Sequence, residues 1–229
     1  MKYWRITLYL MGEYSPFENK IIFSKKSIKE EIADLLKILS YKKIKRYIND
    51  IQGIKYLNKS YNLIFLYPLY IDERDIRNSI AKSIIRSTIF HEIWHSIDFS
   101  ILHKLVENST IKEIEYLITI FYNPYNLELR ASAFEVVMYY LVNGFYKDEK
   151  VYKTVHDNIL TCRNYIKKIN ELEKNEYINR ITFYEIGFCY GNIIVAKYKS
   201  SLEKNIYNII DDTIHLDEKR AIEVIKHYI

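Results

Sequence analysis

The chain holds five Gly and three Pro among 229 residues. Tight reversals depend on residues that tolerate positive φ or fix φ in advance. A chain this poor in both cannot make the many turns of an all-β fold. The same scarcity excludes collagen-like and linker-rich architectures. With 49% hydrophobic and 28% charged residues, there is enough apolar surface to offset chain entropy, which excludes a disordered tail protein. At about 150 residues per domain, the length fits one large domain, or one domain with an appendage.

The first seventy residues read as mixed structure. Tyr3 to Met11 and Lys20 to Phe23 are rich in β-branched and aromatic residues and flank a turn-forming stretch, Gly12 to Asn19, so a hairpin with a long turn is expected. Ser27 followed by Glu30 forms a capping box, with Ile28, Ile32, Leu35, Leu36 and Leu39 on one face of the helix after it. A second helical pattern (Ile44, Tyr47, Ile48, Ile51) ends at Gly53. Tyr61 to Ile71 reads as an edge strand or a strand with a break, because Pro68 cannot donate to a ladder.

From Asp72 the chain turns helical. Asp72, Glu73 and Asp75 suit the positive end of a helix whose pattern runs through Ile76, Ile80, Ile84, His91 and His95 to about Leu105. Asn108 to Thr110 interrupt it. A helix from Ile111 to about Tyr122 is stopped by Asn123-Pro124. Another from about Tyr125 to Val142 is stopped by Asn143-Gly144. Three or four helices follow Asp148. The reading is α+β, predominantly α-helical. Residues 1–146 form a core with a small N-terminal sheet, and residues 147–229 form a helical C-terminal layer packed on it.

The net charge of +5 is mild for this length. The Lys-rich patches (Lys42, Lys43, Lys45, Arg46; Lys167, Lys168) read as solvated helix faces, so nucleic acid is not the expected partner. The apolar stretch Ile6 to Met11 is too short for a signal peptide, and no run of about 18 apolar residues could span a membrane. An intracellular location is expected. Two Cys, Cys162 and Cys189, are too few for a disulfide scaffold and lack metal-type spacing, so both read as buried thiols.

The chemistry concentrates at residues 91–95, His-Glu-Ile-Trp-His. On a helix, His91 and His95 lie about 40° apart and one turn along, so both imidazoles can reach one Zn²⁺. Glu92 sits about 100° round the helix, close enough to take a proton from a water on the ion without being a ligand. With six His, chance gives this motif roughly 0.01 times in such a chain. Phe90, Ile93, Trp94 and Ile97 read as core around it. His103 lies too far along the same helix to share the ion, and His156, His215 and His227 read as surface or core residues.

A catalytic zinc takes a third protein ligand. Asp98 lies on the same face as His91 but about 10.5 Å along the axis, and no Gly between His95 and Asp98 breaks the helix, so it reads as an outer-sphere or solvated group. The helix after Pro124 carries Glu128 and Glu135 two turns apart on one face. The small Ala131, Ser132 and Ala133 would let it approach the His-bearing helix. A carboxylate of this helix, Glu128 or Glu135, is the stronger ligand candidate, with Asp98 as the alternative.

With Glu128-Leu129-Arg130-Ala131-Ser132 following His91-Glu92-Ile93-Trp94-His95, residues 60–140 resemble the gluzincin clan of zinc metallopeptidases. Small gluzincins and the ImmA/IrrE-type regulatory peptidases are similar in layout. In that clan a Glu opening Glu-x-x-Ala/Ser-Asp/Asn completes the site. The resemblance implies a zincin-like core, Zn²⁺ held by His91, His95 and Glu128, and Glu92 as general base for zinc-activated water. It implies a peptide or protein substrate paired along an edge strand, here Tyr61 to Ile71, and an oxyanion-stabilising His or Tyr that cannot be singled out among 23 Tyr. Ser132 departs from the pattern where thermolysin-like members place the residue that orients a ligand His; Asp98 is a candidate for that task. The alternative is a helical regulatory or interaction protein that keeps zinc without turnover. A basic nucleic-acid binder, recognisable by steep salt dependence, stands third.

Overall fold

The computed structural model describes residues 12–38, 76–116, 118–119, 123–142, 155–156, 158–160, 162 and 180–228. These are mostly helical, with one two-stranded antiparallel sheet among them. Strands β1 (Gly12–Ser15) and β2 (Lys20–Phe23) pair with Tyr14 opposite Ile21. The second strand lies where the sequence predicts it. The first occupies residues expected to belong to the turn, and the turn shrinks to 16–19, closed by Asn19 at φ 45°. Gly12 is a packing glycine: a Cβ there would come within 2.5 Å of Thr88 Cγ2. Its bareness lets β1 lie directly on the helix that follows in space. Residues 1–11, the pattern ending at Gly53, the strand expected at Tyr61 to Ile71, the acidic start at Asp72 to Asp75, the stop at Asn143-Gly144 and both Lys-rich patches lie outside the described residues.

Helix α1 (Lys25–Ile38) begins one turn before the predicted capping box. Ser24 is the cap: its Oγ accepts the Ser27 amide at 3.2 Å, and its carbonyl accepts the Ile28 amide. Ile28 and Ile32 are buried as expected. Helix α2 (Ile76–Glu107) is 32 residues long, about 48 Å at 1.5 Å per residue. It ends before Thr110, whose amide and hydroxyl both donate to Glu113 Oε2 at 2.7 Å and so start α3 (Ile111–Tyr116). Helix α4 (Pro124–Val142) has Pro at its first position, where a missing N–H costs nothing, and Asn123 Oδ1 accepts the Tyr125 amide. Helices α5 (Arg180–Tyr198), α6 (Ile206–Ile214) and α7 (Glu218–Tyr228) follow, with two short 3-10 turns between α5 and α6.

Helix α4 is the centre of the described structure. Every residue from Leu129 to Val137 is buried, and the charged Arg130 and Glu135 among them are paired with Asp98 and His91. On one side Trp94 of α2 packs on Ala131 and Phe134, the Trp94 and Phe134 rings 4.8 Å apart. On the other side α5 crosses closely. A Cβ on Gly187 would lie 2.3 Å from the Leu129 carbonyl oxygen and 2.8 Å from Ser132 Cβ, and one on Gly191 would lie 2.6 Å from the Ala133 oxygen. The small-residue stretch therefore splits: Ala131 faces the His-bearing helix, whereas Ser132 and Ala133 face α5. The largest buried cluster joins α4 to the C-terminal helices, including Leu129, Val136, Ile186, Ile193, Leu202 and Ile225.

Cys162 and Cys189 are not free thiols. They form a disulfide with Cα atoms 5.8 Å apart, buried in that cluster. Twenty-seven positions separate them and no motif marks them; helix packing alone brings them together. No helix among the described residues is long and apolar enough to cross a membrane.

Candidate metal centre

Helix α2 presents His91 and His95 one turn apart, their ring centroids 4.9 Å from each other and nearly perpendicular. The potential ligand atoms of His91, Glu92 and His95 lie within 4.8 Å of one another, and this largely buried group could hold a metal ion. Helix α4 adds a carboxylate: Glu128 Oε2 is 3.1 Å from His91 Nε2 and 3.9 Å from His95 Nε2. Two ligands each about 2 Å from a tetrahedral ion stand about 3.3 Å apart, so the spacing is that of groups able to share one ion.

Glu135, two turns after Glu128, faces the other edge of the same ring, its Oε2 3.2 Å from His91 Nδ1. A carboxylate there holds the tautomer that points Nε2 toward an ion. Glu135, and not Ser132, is the residue of α4 placed to orient the His91 ring. Asp98 does not. It is buried against Arg130, whose Nε donates to its two oxygens at 3.1 and 3.3 Å, and Arg130 Nη1 donates to the Leu216 carbonyl. The rise along α2 carries Asp98 past the site, where it joins α2, α4 and the turn before α7. His103 pairs with Glu107 on the exposed end of α2, His215 faces Asp211 across one turn, and His156 is exposed.

Two neighbours of the site could not be read from the sequence. The backbone amide of Tyr14 in β1 donates to Glu92 Oε2 at 2.9 Å; backbone donors leave no trace in residue types. Tyr184 of α5 stacks on His91, ring centroids 5.8 Å apart and 22° from parallel, and its hydroxyl hydrogen-bonds Glu128. Nothing distinguishes Tyr184 among 23 Tyr.

Three carboxylates thus converge on two imidazoles in a largely dehydrated setting. Burial pulls the His91 pKa down, but the hydrogen bonds to Glu128 and Glu135 outweigh it and raise it to about 10. Burial pushes Glu128 up, but His91 beside it holds the carboxyl well below the usual range. Burial raises Glu92 despite the His91 charge and the Tyr14 amide, and burial likewise raises Glu135. A proton on His91 therefore does the work of a cation among these carboxylates. Buried anions in surplus call for a positive partner, and the donor set of two imidazoles and a carboxylate is chemically suited to a divalent ion.

No family model, curated protein or solved structure matches the chain.

Proposed function

We propose that the centre binds Zn²⁺ and that the protein is a zinc-dependent hydrolase of peptide bonds with a zincin-like core of the gluzincin type. The observation that carries this is the placement of Glu128 beside the imidazole nitrogens of both His91 and His95, while Glu92 stands to one side on the Tyr14 amide. His91, His95 and Glu128 hold the ion in this reading, and two imidazoles with one carboxylate are a catalytic zinc set. When bound, the ion supplies a Lewis acid that polarises the scissile carbonyl and lowers the pKa of water.

Glu92 then takes a proton from the attacking water and returns it to the departing amine. Burial raises its pKa, which brings it toward the range where one group serves as base and then as acid. Glu135 keeps the Nδ1 proton on His91, so that Nε2 is free for the ion. The test is Glu92→Gln, nearly isosteric and unable to accept the proton. It is expected to bind zinc as the wild type does and to cleave a broad peptide library about 10²–10⁴-fold more slowly. Equal cleavage by both proteins would refute Glu92 as the base.

The burial of the donor set favours a second reading, a zinc-stabilised regulatory or interaction protein without turnover. It predicts that neither wild type nor variant cleaves the library and that chelation melts the fold, because a structural zinc contributes folding energy directly.

A further inference from the structure

We infer that Tyr184, carried on α5 outside both motif-bearing helices, is a positioning residue for the metal centre, its hydroxyl fixing the Glu128 carboxylate and its ring bracing His91. The inference rests on the proposed metal site and makes the C-terminal helical layer a working part of it. One side chain touches two of the three groups assigned to the ion. The phenol donates to Glu128 and the ring lies against the His91 ring at 5.8 Å and 22°.

The chemistry of each contact suits that task. A neutral phenol orients a carboxylate through one O–H and leaves its charge for the cation; a Lys or Arg there would neutralise the carboxylate instead. An imidazole binds metal in the plane of its ring, whereas Tyr184 covers a face. Glu135 holds the Nδ1 edge of His91, Tyr184 stacks beside the ring, and the Nε2 edge faces Glu128.

The backbone under Tyr184 is firmly placed. Phe183 is buried and stacks on Tyr125 of α4 at 4.7 Å. Gly187, one turn on, sits against the Leu129 carbonyl so closely that a Cβ would reach within 2.3 Å of it. This close approach of α4 and α5 lies one residue from Glu128 and three from Tyr184. Cys189 then ties α5 to Cys162. A side chain on such a base can hold a ligand in place.

The test uses the full chain with Tyr184→Phe, which keeps the ring and removes the hydroxyl, and Tyr184→Leu, which removes both. Zn²⁺ affinity is measured by competition with a chromophoric chelator, the Co²⁺-loaded protein by its visible spectrum, and the metal-free protein by thermal melting. Loss of a ligand-orienting partner weakens metal binding about 10–100-fold, so about tenfold is expected for Phe and more for Leu, with shifted Co²⁺ bands. The metal-free melting temperature of Tyr184→Phe should fall by no more than about 4 °C. Unchanged affinity and spectrum in Tyr184→Phe, with or without a lower melting temperature, would overturn the inference and leave the zinc site standing. A wild-type chain that takes up no Zn²⁺ would overturn both. Should Tyr184→Leu fail to fold, the Phe variant decides.

Discussion

Loading the centre with zinc at neutral pH has to displace a proton. In the metal-free protein His91 lies between Glu128 and Glu135 with its pKa raised to about 10, so at pH 7 about one molecule in 10³ offers the neutral imidazole that a metal needs. The apparent Zn²⁺ affinity should therefore climb about tenfold per pH unit, or about 100-fold from pH 6 to pH 8. A histidine at its ordinary value of 6.5 would gain only about fourfold over the same interval. The assay is calorimetric titration of the metal-free protein in two buffers of different ionisation enthalpy, whose difference counts the protons released; about one per site is expected. Metal-free stability carries the opposite sign. His91 is raised above 6.5, so its contribution is complete below pH 6.5 and is lost as pH climbs through about 10. Glu128 is depressed below 4.5, so its share of the same pair is present above that value and lost as pH falls well beneath it. Affinity that changes less than about fivefold between pH 6 and 8, with no buffer dependence of the heat, would refute the bridged imidazolium.

Asp98→Ala should destabilise the fold by about 3–5 kcal/mol in urea titration, because it leaves Arg130 as an uncompensated buried charge. The folded fraction should keep its zinc, and loss of zinc from folded protein would make Asp98 a ligand after all. Opening the disulfide with Cys162→Ala/Cys189→Ala removes a 27-position closure, worth about 3–4 kcal/mol in the chain-entropy account. A melting temperature lower by about 10 °C is expected, and no change would show that the bond does not form in solution.

The parts of this protein that were legible in its sequence share a cause: they are set by local periodicity. The long helix bearing His91 and His95 and the Asn123-Pro124 start of α4 follow from helical spacing, whereas the approach of Glu128 to both histidines is what the family resemblance implies. The misplacements come from residues whose local and tertiary meanings differ. Gly12 looks like a turn residue and is a strand residue packed on Thr88, which shortens the turn. Ser27 looks like the cap, but its own amide donates to Ser24 Oγ, so the helix starts about one turn earlier. Ser132 and Ala133 look like an invitation to α2 and are taken by Gly187 and Gly191 of α5. The disulfide, the Tyr14 amide and the ring of Tyr184 depend on contacts between distant segments, and no residue type announces them.

Helix α4 stands as a party wall between two rooms. It lends Glu128 and Glu135 to the centre on one side and Leu129, Ala133 and Val136 to the C-terminal core on the other. The bite of the proposed metal site and the cohesion of that core are then two readings of one helix position. Repacking beneath Val136 would be felt at the ion as a changed reach of Glu128. In the other direction, an ion clamping α2 to α4 acts as a tie rod, and binding energy spent on one face stiffens the helix that the opposite face rests on.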